Sequence, residues 1–344
     1  MFENKERTSI EELGEFGLID HLAEHAPTGN ANTIIGIGDD AAVLKYGDRC
    51  VLVSTDMLVE QVHFDLMYTP LKHLGYKAIV SNLSDVYAMN GTPHHVTVSV
   101  ALSSKFTLEA VEEIYAGIYA ACREYSVELI GGDTTSSLKG LMISVTAVGT
   151  AKEEEIVRRS GAKEGDLLCV SGDLGGAYMG LQLLEREKRV YLDHPDMQPD
   201  LEKHDYIVSR QLRPEARKDV IELLKEKEII PTSMIDISDG LSSEIMHLSK
   251  HSGVAFAVHE DKLPIDQGTY NVAVEFGIDP TTAALNGGED YELLFTLDQK
   301  HYDKIKGSMD ITVIGYARAL EMKNQLITKQ KNIHDLVAQG WKSV

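Results

Sequence analysis

The sequence predicts an α/β or α+β protein built in two domains. Apolar runs of strand length intermix with segments of helical periodicity along the whole chain. Several strand-like runs follow one another closely enough to pair antiparallel. A charged break at residues 151–166, containing Ser160-Gly161 and Glu164-Gly165, precedes a fresh buried strand. With 344 residues there is room for two cores. The boundary is therefore placed there, giving domains 1–150 and 151–344.

In the first half, residues 14–25 have helical periodicity, with Phe16, Leu18, Ile19 and Leu22 on the apolar face. Strands follow at 33–37, 41–45 and 50–55. Residues 71–89 form a helix with Ile79, Leu83 and Val86 on one stripe. Asn82 and Asp85 share another stripe, beside the small residues Ala78, Ser81 and Ala88. A strand at 95–102 precedes a helix over 107–125, opened by Thr107 as cap and by early acids. Strands 127–130 and 141–148 flank a turn at Gly131-Gly132-Asp133.

The second half opens with strand 167–170 and a glycine-rich turn, 171–180, leading into a helix that runs through Glu187. Residues 189–208 are polar with two prolines and are expected to be an exposed loop. Arg213-Pro214 opens a further helix. Strand 234–237 runs into a helix at Asp239, and short strands and helices continue to Trp341, the only tryptophan. No repeat period is visible.

A formal net charge of −21 argues against a nucleic-acid partner or an anionic membrane surface, both of which favour excess Lys and Arg. Cys50, Cys122 and Cys169 sit singly in apolar segments, without metal-ligand spacing, and are expected to be reduced core residues. Residues 1–12 lack the apolar run of a signal peptide, and no stretch has the length to cross a bilayer. The expected location is the cytoplasm.

The chemistry lies in carboxylates placed beside Gly, Ser, Thr or Asn, several of them where an apolar run ends. They occur in Gly38-Asp39-Asp40, Ser54-Thr55-Asp56, Asn82-Leu83-Ser84-Asp85, Gly131-Gly132-Asp133, Asp236-Ile237-Ser238-Asp239-Gly240 and Gly287-Gly288-Glu289-Asp290. Buried carboxylates pair with cations or neutralise. If these segments converge, hard divalent cations holding phosphates are the natural occupants. Each motif also has a plainer reading. Gly38-Asp39-Asp40 is equally a hairpin turn, Ser54-Thr55-Asp56 a strand-end turn, and Asp239 a helix cap. Asp236 and Ser238 share one strand face. Taken singly, His63 and Trp341 are structural residues, and the 171–180 turn is only a weak anion site. There is no P-loop and no protein-kinase signature, so a nucleotide would be held by another device.

Taken in order, Gly-Ile-Gly-Asp-Asp-Ala-Ala-Val, Ser-Thr-Asp-Met, Asn-Leu-Ser-Asp-Val-Tyr-Ala-Met, Leu-Ile-Gly-Gly-Asp-Thr-Thr, Arg-Ser-Gly-Ala-Lys-Glu-Gly-Asp, Asp-Ile-Ser-Asp-Gly-Leu and Asn-Gly-Gly-Glu-Asp-Tyr-Glu-Leu resemble the thiamine-monophosphate kinase family over residues 14 to 341. That family sits in a superfamily with the aminoimidazole ribonucleotide synthetases, which use ATP without a P-loop. The resemblance implies a two-domain aminoimidazole ribonucleotide synthetase-like fold with mixed sheets flanked by helices. It also implies ATP-dependent phosphorylation of thiamine monophosphate to thiamine diphosphate, with several Mg²⁺ ions. Metal positions fall on Asp39, Ser54, Thr55, Asp56, Asp85, Asp133, Asp236 and Asp239, of which Asp56, Asp85 and Asp239 are expected to be catalytic. Nucleotide contacts fall on Tyr115, Gly132, Asp133, Arg159 and Ser238, and substrate contacts on His63, Glu289 and Trp341. The implied assembly is a homodimer built by the N-terminal domains. A different ATP-using member of the superfamily, or a metal-dependent phosphohydrolase, is the alternative. The first would bring a reactive cysteine that is missing here, and the second more histidine ligands.

Overall fold

The computed structural model describes residues 10–27, 29–199 and 201–338. It is a mixed α/β protein, as predicted, with two mixed sheets and ten α-helices among the described residues. Helix α1 (Ile10–Ala23), kinked at Gly14, precedes β1 (Thr33–Ile35), β2 (Ala42–Tyr46) and β3 (Arg49–Val59). Helix α2 (Leu71–Ala88), β4 (Thr92–Leu102), α3 (Leu108–Tyr125), β5 (Glu128–Ser136) and β6 (Met142–Ala151) complete the first half. Its six strands are ordered β1-β2-β3-β6-β4-β5, all neighbours antiparallel except the parallel pair β4–β5.

The second half contains β7 (Leu167–Ser171), α4 (Gly176–Asp193), α5 (Asp205–Leu212), α6 (Lys218–Glu226), β8 (Ser233–Asp236), α7 (Leu241–Ser252) and β9 (Ala255–His259). It continues with α8 (Gln267–Glu275), α9 (Pro280–Asn286), β10 (Leu293–Leu297), α10 (Tyr302–Ile305), β11 (Ile311–Arg318), β12 (Gln325–Ile327) and β13 (Ile333–Asp335). Its sheet runs β13-β12-β9-β11-β7-β10-β8.

Helix α2 joins the two halves. Nearly all of its side chains from Leu74 to Ala88 are buried, because one face packs on β3, β4 and β6 while another meets β8 and α5. The largest apolar cluster accordingly runs from Val43, Leu52 and Val98 through Leu83 and Val86 to Val220, Met234 and Phe295. Helix α3, capped by Thr107 as expected, with its hydroxyl accepting from Ala110 N, buries one stripe against α2.

The two helices touch backbone to backbone. A Cβ at Gly117 would lie 1.8 Å from the Lys72 carbonyl oxygen, and one at Gly75 would lie 2.0 Å from that of Ile114. Gly117→Ala is expected to destabilise the protein by about 1–3 kcal/mol through overpacking. A denaturation midpoint equal to that of the wild type would refute this close-contact role.

Several boundaries differ from the sequence reading. Gly131-Gly132-Asp133 is no turn: β5 continues through it to Ser136 in parallel register with β4, Gly132 opposite Val98 and Asp133 opposite Ser99. Glycine is needed there for contact, since a Cβ on Gly132 would stand 1.7 Å from the Val98 carbonyl oxygen. Polar residues 189–208 are helical at both ends, as α4 extends to Asp193 and α5 starts at Asp205. Between them, residues 194–199 and 201–204 are irregular and mostly exposed, as expected, while Ile207, Gln211 and Leu212 of α5 face inward. The helix expected at Arg213-Pro214 begins only at Lys218, because the Tyr125 hydroxyl accepts the Ala216 amide (2.9 Å) and holds the intervening segment against α3. All three cysteines are free and buried, as expected.

Candidate functional site

A cleft of about 1540 Å³ opens between the halves. Its walls are the β1–β2 loop, the end of β3 and the loop after it, α2, α4, the β8–α7 loop and the segment after α9. At its floor, three elements distant in sequence each contribute one carboxylate. Asp40 comes from the β1–β2 loop, Asp85 from α2 and Asp236 from the end of β8, and one oxygen of each lies within 4.8 Å of the others.

These groups are held from behind. The Ser54 hydroxyl donates to Asp85 Oδ2, and the Ser84 hydroxyl donates to Asp236 Oδ2 at 2.6 Å, linking α2 to the second sheet. Arg159 donates to Asp40 Oδ1 through Nη2 (2.8 Å) and Nε (3.2 Å), and its backbone amide donates to Asp39 Oδ1 (3.1 Å). Asp56 also faces the cleft, and its amide donates to Asn82 Oδ1 (2.9 Å), itself anchored to the Ala78 carbonyl.

Burial and mutual repulsion make these acids hard to ionise. Burial, with Asp40 beside it, pushes Asp39 up to about 6. Burial, reinforced chiefly by Asp40, pushes Asp236 up to about 7. Asp85 is driven well above the carboxylate range by burial and by Asp56, Asp236 and Asp40. Asp40 is raised by burial against the pull of Arg159. Glu244, buried on α7, is raised well above its ordinary value by burial and by Asp239, whose amide it accepts at 3.0 Å.

The site has the chemistry of a hard-cation centre. Its donors are carboxylate and hydroxyl oxygens, the set that Mg²⁺ takes. Asp40 Oδ2 is buried without a hydrogen-bond partner, the kind of orphaned acceptor that a cation satisfies.

Of the residues singled out from the sequence, Asp39, Ser54, Thr55, Asp56, His63, Asp85, Arg159, Asp236, Ser238, Asp239 and Glu289 all line this one cleft. The Thr55 hydroxyl, however, is taken up by the Val145 carbonyl (3.0 Å) and by Thr146, because strand alternation turns it from the face that carries Ser54 and Asp56. Asp239 is not the cap of α7: Gly240 occupies that position. The imidazole Nδ1 of His63 accepts the Val59 amide (3.0 Å), which leaves Nε2 as the N–H. Tyr115, Gly132 and Asp133 do not line the cleft. Tyr115 stands beside Tyr119 on α3, and Gly132 and Asp133 lie on the edge strand β5. Trp341 lies outside the described residues.

The glycine-rich start of α4 holds no open anion site. The Asp290 carboxylate already accepts the Gly175 (2.8 Å) and Ala177 (3.3 Å) amides, as an anion at a helix N-terminus should. Asp40 escaped the metal assignments because adjacent acids in a turn look alike in sequence. Lys77, buried in α2, carried no signal at all beyond a lysine within an apolar helix.

Residues 38–151 match the family described as AIR synthase related protein, N-terminal domain. The thiamine-monophosphate kinase of Aquifex aeolicus is 36% identical over 333 residues, covering 97% of this chain and 99% of that protein. The thiamine-monophosphate kinase of Bacillus subtilis is 34% identical over 324 residues, covering 92% and 95%. A solved structure of AaThiL complexed with AMPPCP and TMP superimposes with a TM-score of 0.83 at 32% identity, covering 98% of this chain and 99% of that one.

Proposed function

The chain belongs to the thiamine-monophosphate kinase family, and from that premise we propose that it moves the γ-phosphoryl group of ATP in line onto the phosphate of thiamine monophosphate. The product is thiamine diphosphate. The observation that carries this reading is the convergence of Asp40, Asp85 and Asp236, from a loop, a helix and a strand end, at the floor of one cleft.

The acceptor is a phosphate oxygen, already nucleophilic near neutral pH, so no strong general base is required. The protein's task is to hold two anionic groups together. Asp40, Asp85 and Asp236, with Asp39, Asp56 and Asp239 on the walls, would hold several Mg²⁺ ions. Bound there, Mg²⁺ supplies neutralisation of the facing phosphates and a template for their alignment. Ser54 and Ser84 fix two of the carboxylates, while Arg159 offsets the charge of Asp40. His63 Nε2–H and Glu289 are assigned to the acceptor's organic end, and Ser238 and Arg159 to the nucleotide.

Tyr115, Gly132 and Asp133 are assigned to a nucleotide bound where two copies meet, in a homodimer joined through the N-terminal sheet. The support is the exposure of that surface, where Ile130 is 56% and Tyr119 47% accessible. Among the described residues no helix is long and apolar enough to cross a membrane, and a cytoplasmic location is part of the proposal.

The test is incubation with ATP, Mg²⁺ and thiamine monophosphate, following thiamine diphosphate by chromatography with unphosphorylated thiamine as control. Diphosphate arising only from the monophosphate, and abolished by EDTA, is the expected result. ATP binding without product would move the assignment to a different acceptor within the superfamily.

A further inference from the structure

Lys77 sits on α2 with its side chain 4% exposed, and it does not line the cleft. A buried ammonium is costly unless paired. Its Nζ lies 2.8 Å from Glu289 Oε1 and donates to the Gln211 carbonyl at 3.1 Å. The second Glu289 oxygen accepts from Gln211 Nε2 at 2.7 Å. Both oxygens of this cleft-lining carboxylate are thus fixed by residues of two different elements.

The backbone beneath is equally constrained. Glu289 has φ 64 and Tyr291 φ 51, conformations that L side chains rarely adopt. They are held because Glu289 N donates to the Ser238 carbonyl (2.7 Å), Tyr291 N donates to that of Ile237 (2.9 Å), and Asp290 is tied to the start of α4. Glu289 is therefore attached by its backbone to the segment that carries Asp236 and by its side chain to the helix that carries Asp85. Eight residues separate Lys77 from Asp85, about 12 Å along the α2 axis. The helix acts as a ruler between the carboxylate floor and the organic end of the cleft.

We infer that Lys77 is a positioning residue for acceptor recognition, holding the Glu289 carboxylate from behind the cleft wall so that it faces the cationic, amino-bearing heteroaromatic part of the acceptor. This rests on the reading of Glu289 as an acceptor contact. Lys77 touches no substrate itself. Its effect passes through the geometry and the partial charge compensation of Glu289.

Steady-state kinetics on the full-length enzyme test it with Lys77→Met, Lys77→Arg, Glu289→Gln and the double variant Lys77→Met/Glu289→Gln. The expected result is an acceptor KM raised about tenfold in Lys77→Met, with nucleotide KM unchanged and kcat within about threefold, the signature of lost binding to one substrate. Lys77→Arg recovers part of the loss, and the double variant is no worse than the poorer single variant, because both remove one interaction. An unchanged acceptor KM in Lys77→Met beside a raised one in Glu289→Gln would overturn the inference while leaving the acceptor role of Glu289 intact. An unchanged acceptor KM in Glu289→Gln would overturn both. If Lys77→Met does not fold, Lys77→Arg, which keeps the buried charge but displaces the contact with Glu289 Oε1, carries the same KM test with a smaller expected rise of about threefold.

Discussion

Asp85→Asn lowers turnover by about three orders of magnitude, in line with the loss of a metal-ligating charge, yet melts no lower than the wild type in chelator. The two halves of that expectation have one cause. Burial and the nearby Asp56, Asp236 and Asp40 already hold the Asp85 carboxyl well above its ordinary range in the metal-free protein. An amide of the same shape therefore removes no stabilising charge there, and its oxygen still accepts from Ser54. With Mg²⁺ present the carboxylate is needed as an anion, and the variant forfeits it. Two readings check this: kcat at saturating ATP and thiamine monophosphate, and melting temperature with EDTA against Mg²⁺. The variant should lose most of the Mg²⁺-induced rise in melting temperature. Retention of more than about a tenth of wild-type turnover would remove Asp85 from the catalytic assignment.

The stabilisation given by Mg²⁺ is expected to grow with pH. Asp39 at about 6 and Asp236 at about 7 lie above the ordinary aspartate value of 3.8. Between about pH 4 and pH 7 the folded, metal-free protein therefore binds more protons at these groups than the unfolded chain does. Their contribution to stability is greatest below that window and is lost as pH rises through it. Mg²⁺ requires the deprotonated forms, so protons compete with it at the acid end. Apparent Mg²⁺ affinity at about pH 8 should exceed that at about pH 5.5 by at least tenfold, seen as a larger rise in melting temperature at the same Mg²⁺ concentration. An equal rise at both pH values would mean that these carboxylates do not ligate the ion. The same experiment on Asp85→Asn separates metal linkage from the general pH response of the fold.

Much of the lining of this cleft was legible in the sequence. The carboxylates announce themselves because, motif after motif, they stand beside small residues, several where an apolar run ends, although each alone could be a turn or a cap. Six of the acids assigned from the sequence, Asp39, Asp56, Asp85, Asp236, Asp239 and Glu289, share the one cleft. Their ordered series, with no single motif sufficient, also marks the family. The local rules that produce helices likewise worked where the signal was local. Thr107 caps α3, and α2 spans Leu71–Ala88, one residue short of the expected 71–89. They failed where contact geometry decides. Gly131-Gly132 has the composition of a turn, but it lies in a strand paired with β4, whose backbone comes too close for any side chain at Gly132.

The sequence by itself determined the fold class and the family and offered a set of candidate acids, because hydrophobic period and motif order are properties of the chain read in one dimension. Only the tertiary structure decided which acids meet. Asp39 and Asp40 are neighbours along the chain and cannot be ranked there, but burial turns Asp40 toward Asp85 and Asp236 and pairs it with Arg159. Lys77 and Glu289 are more than two hundred residues apart in sequence. Their 2.8 Å pair exists because α2 lies against both sheets at once, which buries the ammonium and obliges it to find an anion on the other side.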